Sequence, residues 1–160
     1  MIQRPQSLLL ALAAIGYLVM AFSPLWSLTV EASTVHLTAF KGVLTNTLAG
    51  TTTVEKEVST IYLFIFCLLG AALSLFIIFL YKNRPLQATM SAVNSLFITI
   101  FIGLSLLSAI PKCKEMIMSQ GDGVYAWGFY LAPVILLSNF IANRLIRKDE
   151  ALVKSVDRIR

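Results

Sequence analysis

Four long stretches of this chain, residues 7–28, 59–81, 88–110 and 125–142, contain no Asp, Glu, Lys, Arg or His. A helix rises 1.5 Å per residue and needs about 20 apolar residues to cross a hydrocarbon layer about 30 Å thick. Each stretch therefore predicts a membrane-spanning helix. Composition agrees: the chain is 58% hydrophobic and 13% charged, whereas ordinary soluble domains carry about 25% charged residues. The 160 residues fit a single domain.

The ends of the stretches carry interface signals. Pro24 and Trp26 close the first, Tyr62 and Tyr81 bracket the second, Pro111 ends the third, and Tyr125, Trp127 and Tyr130 open the fourth. Aromatic rings favour headgroup depth because they are amphipathic. Arg4 followed by the apolar run 8–22 resembles a secretory signal, but the run continues through Leu25 and Trp26 and no A-x-A site follows. An uncleaved first span is expected.

With the amino terminus inside, the cytoplasmic segments hold Arg4, Lys82, Arg84, Arg144, Arg147, Lys148, Lys154, Arg158 and Arg160, while the outer ones hold Lys41, Lys56, Lys112 and Lys114. Nine against four, with an even number of spans, predicts both termini in the cytoplasm. The expected fold class is all-α: a four-helix transmembrane bundle over residues 1–143 with outer loops 29–58 and 111–124, then a cytoplasmic tail, 144–160. Within the first outer loop, Val35, Leu37 and Ala39 alternate with His36, Thr38 and Phe40, and Lys41-Gly42 precedes the strand-like run 43–48. This spacing predicts a β-hairpin or small sheet capping the outer helix ends. The second outer loop turns at Gly121-Asp122-Gly123.

The net charge of +5 lies beside the hydrophobic runs and in the tail, the pattern of a membrane protein; no nucleic-acid partner is expected. Cys67 falls in an apolar run and Cys113 in a polar loop without CxxC spacing, so free thiols are expected and neither a metal site nor a cofactor. His36, the single histidine, reads as a solvated strand residue.

Lipid tails are as apolar as leucine, so helices associate there by close packing and hydrogen bonds. Ser91, Ser95, Thr99 and Gly103 recur every fourth residue, with Asn94 beside them seeking a polar partner. Gly70 with Ser74, Gly128 with Ala132, and Ser138 with Ala142 repeat the spacing. Packing within the bundle is preferred to a homo-oligomer face. Pro133 is expected to bend its helix without a hinge role.

In the tail, Leu145, Ile146, Leu152, Val153, Val156 and Ile159 gather within about 140° of a helical wheel. Glu150 precedes Lys154 in the favourable order for an ion pair. An amphipathic helix follows, with Arg147, Lys148, Asp149, Glu150, Leu152, Val153 and Val156 as candidate partner-binding residues. Membrane lipid is one partner. A protein surface is the other, because Asp149 sits inside the apolar arc where an anionic headgroup repels it. Arg84 is a candidate partner for Asp149.

The opening Met-Ile-Gln-Arg, Pro-Leu-Trp at 24–26, Tyr-Lys-Asn-Arg-Pro-Leu-Gln at 81–87 and the closing Ala-Asn-Arg-Leu-Ile-Arg-Lys-Asp-Glu-Ala-Leu-Val-Lys-Ser-Val-Asp-Arg-Ile-Arg together resemble a family of small membrane proteins of Bacteroidota catalogued as domain of unknown function 4293. The resemblance covers nearly the whole chain and implies a multi-pass protein of the bacterial inner membrane, with no activity attached. A likeness to claudin-type proteins rests on four spans, an outer sheet and Trp26; the loop cysteine pair of that group is absent, so it extends to the arrangement alone.

No charged residue or histidine stands within the spans to activate a nucleophile or bind a metal, so an enzyme is not expected. The favoured reading is a structural or accessory subunit that binds a partner through its tail or outer loop. The alternative is a small oligomeric transporter or channel for a lipid or neutral solute, lined by Asn94, Ser91, Ser95, Asn139 and Asn143.

Overall fold

The computed structural model describes residues 5–48, 51–117 and 121–157, apart from the side chains of residues 48, 51, 82 and 154–157. Helix α1 (Pro5–Phe22) leads into four strands, β1 (Pro24–Val30), β2 (Ser33–Thr38), β3 (Lys41–Leu48) and β4 (Thr51–Ser59). Helix α2 (Ile61–Phe79) follows. Helix α3 (Arg84–Leu104) runs through a π-helical turn into α4 (Ile110–Ile117), and strand β5 (Val124–Tyr125) precedes α5 (Leu131–Asp157).

The all-α expectation is overturned: this is an α+β fold with a five-stranded antiparallel sheet in the order β4-β3-β2-β1-β5. Three differences account for it. The first apolar stretch does not stay helical to residue 28, because Pro24 cannot continue the α1 hydrogen-bond ladder and Pro24–Val30 becomes β1. The turn between β2 and β3 falls at Ala39-Phe40, and Lys41-Gly42 already belongs to β3, whose Gly42 pairs with Leu37. Thr51–Ser59, whose only apolar residues are Val54 and Val58, carries a weak strand signal and pairs with β3 along its whole length. As an edge strand it carries Glu55, Lys56 and Glu57, charges that discourage further pairing.

Among the described residues three helices are long and apolar enough to cross a membrane: Pro5–Phe22, Ile61–Phe79 and the rod Arg84–Ile117. The expected fourth span is not among them. Tyr125 lies in β5 and Trp127 in the turn after it, so α5 starts at Leu131. Its uncharged part, 131–143, measures about 20 Å before Arg144. Pro111 does not end the third helix either. Its missing N–H and bulky ring disturb the ladder one turn back, and the π-helical turn Ser105–Ala109 absorbs this, with the Ile110 amide bonding to the Ser105 carbonyl.

The helices form a ring in which α1 and α3 each pack on both α2 and α5. Gly70 lets α2 close on the Tyr17 ring. Leu10, Ile77 and Ala142 meet in one apolar cluster, which brings the start of α1, the end of α2 and the middle of α5 to the same end of the molecule. The sheet covers the opposite end, where Trp26, Leu28, Val35, Leu37 and Leu44 share a core with Ile110, Cys113 and Met116 of α4. Cys113 thus lies buried on a helix that packs on the sheet, not in a loop, and His36 is exposed on β2.

Outward, the helices present a belt of exposed large apolar side chains, including Leu8, Ile15 and Phe22 on α1, Ile65, Phe76 and Phe79 on α2, Leu96 and Leu107 on the α3–α4 rod, and Leu137 and Phe140 on α5. Water does not tolerate a continuous apolar surface of this size, and lipid requires one.

Candidate functional site

Polar chemistry inside the helix ring converges on Asn94. Its Nδ2 donates to Ser74 Oγ at 2.7 Å and to Asn139 Oδ1 at 3.1 Å. The Tyr17 hydroxyl donates to the Asn94 main-chain carbonyl at 3.2 Å, and Ser91 Oγ to the Asn139 carbonyl at 3.4 Å. Residues from α1, α2, α3 and α5 therefore meet at one point, with Ser74, Ser91, Asn94 and Asn139 all fully buried. Asn94 Oδ1 and Asn139 Nδ2 are left without a protein partner. The centre ties helices together through uncharged amides and hydroxyls.

The stripe expected on the third span is divided by the structure. Ser91 is buried and Ser95 half-buried, Thr99 is exposed, and the space around Gly103 is open. Ser95 and Thr99 turn their hydroxyls back to the carbonyls of Ser91 and Ser95, one turn earlier in α3. The five residues of the conduit alternative part in the same way. Ser91, Asn94 and Asn139 are bonded to one another at the centre, whereas Ser95 and Asn143 line an outward groove. On α5, Ala132, Ser138 and Ala142 are buried, and Gly128 lies in the preceding turn against the Pro24 carbonyl.

At the end away from the sheet, α5 continues unbroken to Asp157, past the described parts of the other helices. Arg84, at the start of α3, donates from Nη1 to the Asp149 carbonyl oxygen at 2.7 Å. The two residues meet, but the acceptor is the main chain and not the carboxylate. One face of α5 carries Ile135, Asn139, Ala142 and Ile146 at alternating spacings of four and three, all buried. The next residues at those spacings are Asp149, half-buried, and Val153, which is 44% exposed. Leu152 is exposed on another face, and Arg147 and Lys148 are exposed as well. The Val156, Lys154 and Lys82 side chains lie outside the described residues, as do Arg4, Arg158, Ile159 and Arg160.

Two bonding residues carry weaker sequence signals. Gln87, 1% exposed, donates to the Ile77 carbonyl at 3.0 Å and joins α3 to α2; Asn143 donates to the Ala88 carbonyl at 2.7 Å and joins α5 to α3. Their only signal is an amide beside an apolar run.

An apolar belt around helices of spanning length, knitted by buried amides and hydroxyls and capped by a sheet, defines an α+β membrane protein. The chain belongs to the family described as Domain of unknown function (DUF4293), whose model matches residues 2–159. Among the curated proteins none matches the chain.

Proposed function

We propose that this protein is a non-catalytic accessory subunit of a membrane assembly, held in the bacterial inner membrane by its apolar helices, with the far end of α5 docking a protein partner. The observation that carries this is the packing face of α5. It is buried from Ile135 to Ile146 and then runs on to Val153, which among the described residues is 44% exposed. Spacings of four and three suit a partner helix. Asp149 within that face favours a protein over anionic lipid, because a carboxylate is repelled by anionic headgroups. The Arg84 bond keeps α5 projecting as one rigid helix. The excess of Lys and Arg at this end over the sheet end supports a cytoplasmic placement.

Purification of the full chain in mild detergent tests the reading. A stoichiometric protein partner is expected, lost on Val153→Lys and on deletion of residues 143–160. A solitary monomer overturns it, and so does Asp149→Lys if that change only tightens binding to anionic vesicles while leaving the partner in place.

A further inference from the structure

The groove between α3 and α5 has the layout of a phospholipid site. It has a volume of about 440 Å³ and is lined by Ala92 and Ser95 of α3 and by Phe140, Asn143, Arg144 and Arg147 of α5. Its walls change character along the helix. Phe140 belongs to the exposed apolar belt, which on α5 runs to Ile141 before the basic residues begin. Arg144 and Arg147 follow about 6 and 10 Å further along the axis. Among the described residues neither guanidinium lies within ion-pair distance of a carboxylate; the two ion pairs there are Lys41–Glu57 and Lys114–Asp122. Two unneutralised guanidiniums three residues apart lie on neighbouring parts of one helix face. They can bind one phosphate group through several charge-assisted hydrogen bonds.

We propose that this groove holds one anionic phospholipid of the leaflet at the tail end, with its phosphate on Arg144 and Arg147 and an acyl chain against Ala92 and Phe140. The occupant must be both anionic and apolar, because the groove offers cations at one end and hydrocarbon at the other. A soluble anion leaves Phe140 uncovered, and a zwitterionic lipid brings its own ammonium beside the guanidiniums, which offsets the attraction of its phosphate. The site is separate from the partner surface proposed above, since at 100° per residue Phe140, Arg144 and Arg147 lie on the side of α5 roughly opposite Ile146, Asp149 and Val153.

The full chain is reconstituted into nanodiscs of equal phosphatidylcholine and phosphatidylglycerol, extracted, and examined for retained lipid by native mass spectrometry. Retention of one phosphatidylglycerol per chain is expected, preferred about tenfold or more over phosphatidylcholine. Arg144→Gln with Arg147→Gln abolishes the preference, and Lys148→Gln, outside the groove, leaves it unchanged. Equal retention of the two lipids by the unaltered protein overturns the proposal without any variant having to fold. An unchanged preference in the double variant overturns it too.

Discussion

Replacing Asn94 by alanine isolates the contribution of the buried polar centre. The change removes the donors to Ser74 Oγ and Asn139 Oδ1 but spares the Tyr17 bond, which uses the Asn94 main chain. Interhelical hydrogen bonds within membranes contribute about 0.6 kcal/mol on average and up to about 1.7 kcal/mol. Two of them give about 1–3 kcal/mol. The void left by the lost amide adds roughly 0.5–1 kcal/mol, because the site is fully buried. A total loss of about 2–4 kcal/mol is expected. Equilibrium unfolding in mixed micelles measures it, with the fluorescence of Trp26, buried in the core at the sheet end, as one reporter. The pairwise part comes from the cycle of Asn94→Ala with Asn139→Ala, whose coupling should lie near 0.6–1.7 kcal/mol. Thr99→Ala, an exposed position bonded within its own helix, serves as reference and should move stability by less than about 0.5 kcal/mol. Strictly additive losses, or an Asn94→Ala protein as stable as the original, refute the claim that this centre knits the helices.

Gly70→Ala places a Cβ 2.5–3.0 Å from three ring carbons of Tyr17 and should destabilise by about 1–3 kcal/mol in the same unfolding assay, with part of the loss recovered when Tyr17→Leu is added. Glu31 holds a left-handed φ of 53° in the turn between β1 and β2, so Glu31→Gly relieves a cost of about 1–2 kcal/mol. Since glycine gives back about 0.5–1 kcal/mol in chain entropy, a net gain of up to about 1 kcal/mol is expected in thermal unfolding. Arg84→Ala removes the bond to the Asp149 carbonyl and should speed amide hydrogen exchange in residues 150–157 by roughly fivefold, from a loss of about 1 kcal/mol, with exchange at the sheet unchanged.

What hydropathy exposes in this sequence is the set of uncharged runs, and what it hides is where one run holds two structures. Residues 7–28 are uniformly apolar, so α1 and β1 merge in any window average; only Pro24 marks the joint, and it reads equally well as a membrane-interface residue. β4 is hidden for the opposite reason. Its Thr, Glu and Lys residues show no alternation, because as an edge strand it is exposed on both faces from residue 52 to 57, and its pairing comes from β3. β5 has no local signal at all: two residues are strand only because Trp26 and Ser27 pair with them. At the polar centre the sequence identifies Asn94 as a residue that needs a partner, but Ser74, Asn139 and Tyr17 become its neighbours only once the rotation of all the helices is set.

The same distinction explains the two faces of α5. A wheel drawn over the tail alone combines Ile146 with Leu152 and Val153 in one apolar arc. The structure separates them, because Ile146 still packs inside the ring while Val153, on the same face, has passed beyond its end. Local periodicity gives the direction in which a side chain points, and the length of the neighbouring helices decides whether anything is there to meet it. The Ile77–Ala142 contact and the Arg84–Asp149 bond mark where that cover runs out. The chemistry available to a partner therefore begins near Asp149, and the chemistry available to lipid lies just before it, at Arg144 and Arg147.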